Sequence, residues 1–269
     1  MQLQDKRVVL TGASGGIGQA IAVELAKHGA KIGLVGTRHD ALNRLRKKLL
    51  DFHSDIIGIP ADITTEQGQL QIINDMHARF GGIDILINSA GITEFTEFSE
   101  QQPEMIERIL KVNVVAPMQL TRRILPEMLE RQSGQIVNIG STFGSIAFAY
   151  FSSYSTSKFA LRGFSEALRR EIAGNNVNVT YVAPRAVKTT LNSPAVNEMA
   201  EKVKMNMDNP GMVAEKIVKA ITRDKKDVYL GFPESLFVRI NGLLPRLVDS
   251  ALFKQNQVMR KFARYSHQS

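Results

Sequence analysis

Six short β-branched or apolar runs, each followed by a stretch with helical periodicity, constrain this 269-residue chain more than any other feature. The runs are Arg7–Thr11, Lys31–Val35, Asp55–Ile59, Ile83–Ile87, Gln135–Ile139 and Val177–Val182. Apolar runs of this length read as parallel strands buried on both faces. Between them, Gly16–His28, Asp40–Phe52, Glu66–Phe80 and Pro103–Arg131 are long enough to be crossover helices. Alternating β and α units predict an α/β fold, a doubly wound parallel sheet with helices on both faces. No Pro/Gly/Ser-rich linker or internal repeat interrupts the pattern, so a single domain is expected over residues 1–231, followed by a basic, apolar-rich extension over 232–269. Ligands bind such sheets beyond the carboxyl ends of the strands, which directs attention to residues that follow strands.

Composition removes several chemistries. The chain has no cysteine, which excludes disulfide frameworks, thiolate zinc sites and a cysteine nucleophile, and suits a reducing compartment such as the cytoplasm. No metal site is expected. No stretch approaches the roughly 18 apolar residues of a membrane span, and Met1–Arg7 precedes the first strand without an apolar targeting run, so a soluble or at most peripheral protein is expected. From Ser235 onward six basic residues (Arg239, Arg246, Lys254, Arg260, Lys261, Arg264) face the single acid Asp249, so most of the formal charge of +8 lies in the extension. The nearly neutral body argues against a nucleic-acid-binding face and leaves phosphorylated ligands or an anionic membrane surface as electrostatic partners.

The first strand enters Thr11-Gly-Ala-Ser-Gly-Gly-Ile-Gly18 and then a helix. Gly12 permits a tight turn, Gly16 lets the backbone approach a pyrophosphate, Gly18 allows close helix packing, and the helix N-terminus attracts phosphate. The spacing is TGxxxGxG rather than the general GxGxxG, and a glycine-rich turn serving βα packing alone is the other reading. At the end of the second strand, where an acid would hold a ribose 2′-hydroxyl, the chain has Gly36-Thr37-Arg38-His39-Asp40. Asp40 comes two residues late. Arg38 can pair with a 2′-phosphate, helped by the Thr37 and Ser14 hydroxyls, a charge-assisted contact of about 1.5–3 kcal/mol that favours NADP over NAD. Otherwise Arg38 is a solvated residue and Asp40 an acid in the first turn of a helix.

Tyr154 and Lys158 stand four residues apart on an apolar-periodic helix and project together. A phenol with a pKa near 10 is a poor acid at neutral pH, and an adjacent ammonium stabilises its phenolate. YxxxK alone is a weak signal. Thirteen residues earlier, Ser141 follows the fifth strand and can donate a hydrogen bond to a carbonyl or alkoxide oxygen. Asn113 interrupts an apolar stretch of the long helix after the fourth strand and needs polar partners. Taken singly, Ser141 is equally a loop hydroxyl and Asn113 equally a satisfied core amide.

In order and spacing these residues resemble the classical short-chain dehydrogenase/reductase family across roughly residues 4–231, with Asp62, Asn88-Ser-Ala-Gly91 and Pro184–Thr189 completing the set. The resemblance implies a single-domain Rossmann-like sheet of about seven strands and hydride transfer between a nicotinamide and a carbonyl or alcohol. It implies Tyr154 as general acid or base, Ser141 orienting the substrate oxygen, Lys158 lowering the Tyr154 pKa and holding the nicotinamide ribose, and Asn113 anchoring a proton-relay water. Cofactor contacts are implied for Gly12, Ser14, Gly16, Ile17, Gly18, Thr37, Arg38, Asp62, Ile63, Asn88, Ala90, Gly91, Tyr154, Lys158, Pro184, Val187 and Thr189, with NADP(H) preferred and NAD less favoured. It also implies a homodimer or homotetramer built on the helices around Asn113 and Tyr154. Ser89 stands where the family has a second Asn, and Arg185 where it has Gly. Arg185 is either strained at a positive φ, by about 1–3 kcal/mol, or turned toward substrate or cofactor.

Residues 190–212 are expected to form a substrate lid in which Met199, Met205, Met207 and Met212 either offer an adaptable surface to a lipophilic ketone, aldehyde or acyl chain or pack against the domain. An oxoacyl-thioester reductase, a hydroxysteroid-type dehydrogenase and a broad carbonyl reductase all fit. A non-catalytic NADP-binding sensor or scaffold is the alternative from another class. In the extension, Leu236, Phe237, Ile240, Leu243 and Leu244 form one apolar face, and Pro245 starts a second helix with Leu247, Val248, Ala251, Leu252 and Phe253. That face either closes the substrate pocket or a subunit contact, or lies in a membrane interface.

Overall fold

The computed structural model describes residues 2–189 and 192–265. Seven parallel strands form one sheet in the order β3-β2-β1-β4-β5-β6-β7: β1 (Arg7–Thr11), β2 (Lys31–Gly36), β3 (Ile56–Pro60), β4 (Ile85–Asn88), β5 (Gly134–Ile139), β6 (Val177–Ala183) and β7 (Asp227–Tyr229). The strand order reverses between β1 and β4, the place where doubly wound sheets open a ligand crevice.

The helices are α1 (Gly16–Lys27), α2 (His39–Leu49), α3 (Glu66–Phe80), α4 (Pro103–Leu110), α5 (Ala116–Glu130), α6 (Ser152–Glu171), α7 (Pro194–Lys202), α8 (Pro210–Thr222), α9 (Glu234–Leu243) and α10 (Pro245–Tyr265). The two-residue period of the strands sorts their side chains between two cores. Val8 and Leu10 of β1 pack with Ile21, Leu25, Ile217 and Ile221 of α1 and α8, whereas Val9 packs with Ile72, Met76, Leu120 and Leu168 of α3, α5 and α6. A one-residue register slip would exchange these sets, so two-sided burial fixes the pairing of Val8 with Ile32 and Ile85.

Local chemistry sets the element ends. Thr65 caps α3, its Oγ1 accepting from the Gly68 N–H, and Gly81 ends that helix at φ 78°. Ser193 and Asn209 cap α7 and α8, each followed by Pro at the first helical position. The helix expected over 103–131 is divided at Lys111–Val115, a single wide turn between α4 and α5. Such wide turns recur at functional sites; this one holds Asn113.

Within the expected lid, Thr190 and Leu191 lie outside the described residues. Met199 is buried, Met205 and Met207 line a cavity, and Met212 is exposed on α8. In the extension Pro245 begins α10 as expected, and the face on Leu236, Phe237, Leu243, Leu244 and Leu247 is exposed. Packing over the pocket comes instead from the far end of α10, where Met259 and Ala263 are buried with Phe95, Phe151 and Met199. No helix among the described residues is long and apolar enough to cross a membrane.

Candidate active site

A groove of about 760 Å³ runs along the carboxyl edge of the sheet, lined by the turn from Gly12 to Gly18, by Thr37 and Arg38 after β2, by Asp62 and Ile63 after β3, and by Ala90 and Gly91 after β4. Gly12 has φ 66°, and a Cβ there would lie 2.6 Å from the Ala90 Cα, closing the crevice between β1 and β4. A Cβ on Gly16 would lie 2.7 Å from the Thr189 side chain. Gly18 is buried against the Gly12–Ala13 turn. Gly15 precedes α1 as its N-cap and offers no side-chain cap, which leaves the first-turn N–H groups to a ligand anion. Arg38 Nη2 lies 3.4 Å from Ser14 Oγ, bridging the mouth of the groove. Asp62 Oδ1 accepts from the Thr64 N–H at 2.9 Å, which fixes its carboxylate in the wall. Thr11 Oγ1 accepts from the N–H groups of Ser89 and Ala90, so the turn keeps its form with Ser at position 89. Glycine clearances, uncapped N–H groups and a cation at the far end fit a dinucleotide.

Asn88, one of the expected cofactor contacts, has its side chain buried. As the last residue of β4 it points into the sheet face; its Nδ2 donates to Asn138 Oδ1 at 2.9 Å, and Asn138 in turn donates to Ser165 Oγ at 2.8 Å on α6. Its Oδ1 is buried without a hydrogen-bond partner. The residue acts beneath the groove, tying β4 to β5 and α6. Pro184 and Val187 are likewise buried, and the Pro184 carbonyl accepts from the Thr142 N–H, whereas Thr189 and Ile17 line the groove.

Ser141, Tyr154, Lys158 and Asn113 come together beyond the inner end, past Gly91, which borders Asn113 and Lys158. The Ser141 hydroxyl stands near the Tyr154 phenol, and Lys158 Nζ lies 5.6 Å from the centre of the Tyr154 ring. Burial pushes the Tyr154 phenol up to about 12, against the lowering effect of Ser141. Burial also pulls the Lys158 ammonium down to about 8. Burial dominates the phenol, and Lys158 Nζ donates to the Ile139 carbonyl at 3.0 Å. The Asn113 carboxamide accepts from the Ile92 N–H, donates to the Ile92 carbonyl, both at 2.9 Å, and donates to Ser157 Oγ at 3.0 Å. Asn113 and Lys158 flank the same small space beside Gly91.

Two contributors were missed in the sequence. Ser157 Oγ donates a hydrogen bond to the Tyr154 carbonyl and accepts one from Asn113 Nδ2; the run Ser155-Thr-Ser157 inside an apolar-periodic helix was the available signal. An aromatic cage of Phe95, Phe143, Phe148 and Phe151 encloses Tyr154, with Phe143 at 5.9 Å between ring centres. Phe143, Phe148 and Phe151 lie just before Tyr154 in the chain, and only Phe95 comes from a distant segment. Arg185 is not at positive φ. It faces neither groove nor phenol, but forms ion pairs with Asp208 at 2.6 Å and Glu234 at 2.8 Å, joining the segment after β6 to the end of the lid and the start of α9.

A seven-stranded doubly wound sheet with a phosphate-accepting turn and a Ser–Tyr–Lys cluster beyond the end of one groove defines a nucleotide-dependent oxidoreductase of the α/β class. The chain belongs to the short chain dehydrogenase family, whose model matches residues 6–200. It is 36% identical over 242 residues to a dehydrogenase/reductase SDR family protein 7-like of Anopheles gambiae, covering 85% of this chain and 75% of that one. It is 35% identical over 253 residues to the ketoacyl reductase HetN of a Nostoc species, covering 92% and 88%. Among solved structures, a short-chain dehydrogenase of Streptomyces avermitilis superposes with a TM-score of 0.78 at 31% identity, covering 96% of this chain and 99% of that one. A short chain dehydrogenase/reductase of Burkholderia phymatum, solved in complex with NAD, superposes with a TM-score of 0.84 at 22% identity, covering 92% and 96%, and shares the fold.

Proposed function

We propose that residues 1–231, with a lid over 190–212, form an NADP(H)-dependent oxidoreductase that interconverts a carbonyl and an alcohol on an apolar ketone, aldehyde or acyl substrate. The observation that carries this reading is the buried cluster of Ser141, Tyr154 and Lys158 beyond the inner end of a groove whose outer end holds Arg38 beside Ser14. A bound nicotinamide would supply or accept the hydride. Tyr154, protonated at neutral pH, stands ready to give its proton to a substrate carbonyl oxygen, and Ser141 donates a hydrogen bond to that same oxygen. Lys158 holds a positive charge near the phenol and would hold the nicotinamide ribose of a bound cofactor. Asn113, fixed by Ile92 and Ser157, keeps the helix open at this point and bounds the route by which Tyr154 regains a proton. Arg38, Thr37 and Ser14 would hold a 2′-phosphate. The cage of Phe95, Phe143, Phe148 and Phe151 selects bulky apolar groups and excludes water from the reacting carbon. Exposed Val115 just before α5, Met118 on α5 and Phe159 on α6 support association through those helices.

The test is a panel of lipophilic ketones, aldehydes and oxoacyl thioesters assayed by loss of NADPH absorbance. Turnover of at least one class, with a lower KM for NADPH than for NADH, is expected. Cofactor binding without turnover of any class would favour the sensor or scaffold reading.

A further inference from the structure

The extension divides into two parts. The far end of α10 is committed to the pocket through Met259 and Ala263, but α9 and the corner that follows it are not. Phe232 is 75% exposed and Leu243 81% exposed, and Leu236, Leu244 and Leu247 are exposed beside them. Leu236, Arg239 and Leu243 recur at helical spacing on the α9 face opposite the buried Val238.

That face continues into a cavity of about 650 Å³ between α8, β7 and α9, remote from the nucleotide groove. Lys216, Lys219, Arg223, Lys225 and Arg239 line it together with Phe232 and Leu236. Its single acidic lining residue, Asp227, is drawn away by Arg169 at 2.8 Å. At the corner, Arg246 is paired with Asp249, and the rest of the extension carries cations without further acids beyond Glu234, which Arg185 holds.

We propose that this surface docks on an anionic phospholipid membrane, with headgroup phosphates drawn into the cationic cavity and Leu243, Leu244 and Leu247 set among the upper acyl chains. Cations interleaved with exposed leucines match a surface that is anionic outside and apolar beneath, and helices of this length and charge lie in the interface plane. A second copy related by two-fold symmetry would bring like-charged cavities face to face, which the excess of cations opposes. The proposal is independent of the catalytic reading, since none of these residues reaches the nucleotide groove.

Vesicles of phosphatidylcholine, alone or with phosphatidylglycerol, provide the probe for the full chain. The protein is expected to sediment with anionic vesicles at low salt at least about tenfold more than with neutral ones, and to be released as salt rises. Joint Lys219→Glu, Arg223→Glu and Arg239→Glu replacement is expected to weaken partitioning by about a hundredfold or more. Joint Leu243→Ser and Leu247→Ser replacement is expected to weaken it by about tenfold with no change in oligomeric state. Dinucleotide binding should be unaltered in both variants; should a multiple variant fail to fold, Lys219→Glu alone, on the exposed face of α8, carries the test. Equal binding to both vesicle types, or none to anionic vesicles at low salt, overturns the proposal. So does a change of oligomeric state in the leucine variant, which would assign the face to a second copy.

Discussion

Lys158 directs its Nζ to the Ile139 carbonyl oxygen at 3.0 Å while standing 5.6 Å from the centre of the Tyr154 ring, so a buried cation is held by the end of β5 rather than by a carboxylate. No acid among the described residues is paired with it, and burial draws its pKa down to about 8. The unfolded chain keeps this proton up to about 10.4. Between those values the unfolded state binds more protons than the native state, so stability due to this group rises with pH, by about 1.4 kcal/mol per unit. Chemical denaturation of wild type and Lys158→Met from pH 7.5 to 10 should show wild type gaining relative to the variant across that window. A flat difference would mean that Lys158 is solvated.

Tyr154→Phe removes the phenolic proton and leaves the cage packing almost unchanged. It is expected to lower kcat by about 10²–10⁴-fold with cofactor affinity within a few-fold of wild type. Retention of more than about a tenth of wild-type kcat under chemistry-limited conditions would contradict Tyr154 as the proton donor.

Arg38 meets Ser14 across the outer end of the groove. Arg38→Ala is expected to weaken NADPH by about ten- to a hundredfold, corresponding to about 1.5–3 kcal/mol, and to leave NADH nearly unchanged. Fluorescence titration with both cofactors distinguishes this from a general loss of folding, which would weaken both equally.

Arg185 joins three segments that are far apart in sequence, through Asp208 and Glu234. Arg185→Met leaves two partly buried carboxylates unpaired and is expected to cost about 1–3 kcal/mol of stability. Because Asp208 lies at the end of the lid, KM for the carbonyl substrate should rise more than kcat falls. A thermal melt and a KM against kcat comparison check both parts; unchanged melting would show that the clamp does not stabilise the native state.

The sequence by itself determined whatever rests on local order. Alternating strands and helices specified the sheet, because two-sided burial of Val8, Val9 and Leu10 leaves no other economical arrangement for such runs. The Thr11–Gly18 turn and the Tyr154–Lys158 spacing placed the groove and the phenol, since both lie within one turn or one helix face. Tertiary structure alone decided what depends on residues distant in the chain. Asn88 is a core amide because the pleat of β4 turns it toward Asn138, a direction no motif carries. The phenol is raised because the fold buries it, with Phe95 brought from a distant segment to pack beside the local rings of Phe143 and Phe151. Arg185 is an ion-pair clamp because the path of the lid brings Asp208 back to β6 and α9 begins beside it. Local periodicity records which faces must be covered; only the folded chain, closing long loops against their entropy, decides what covers them.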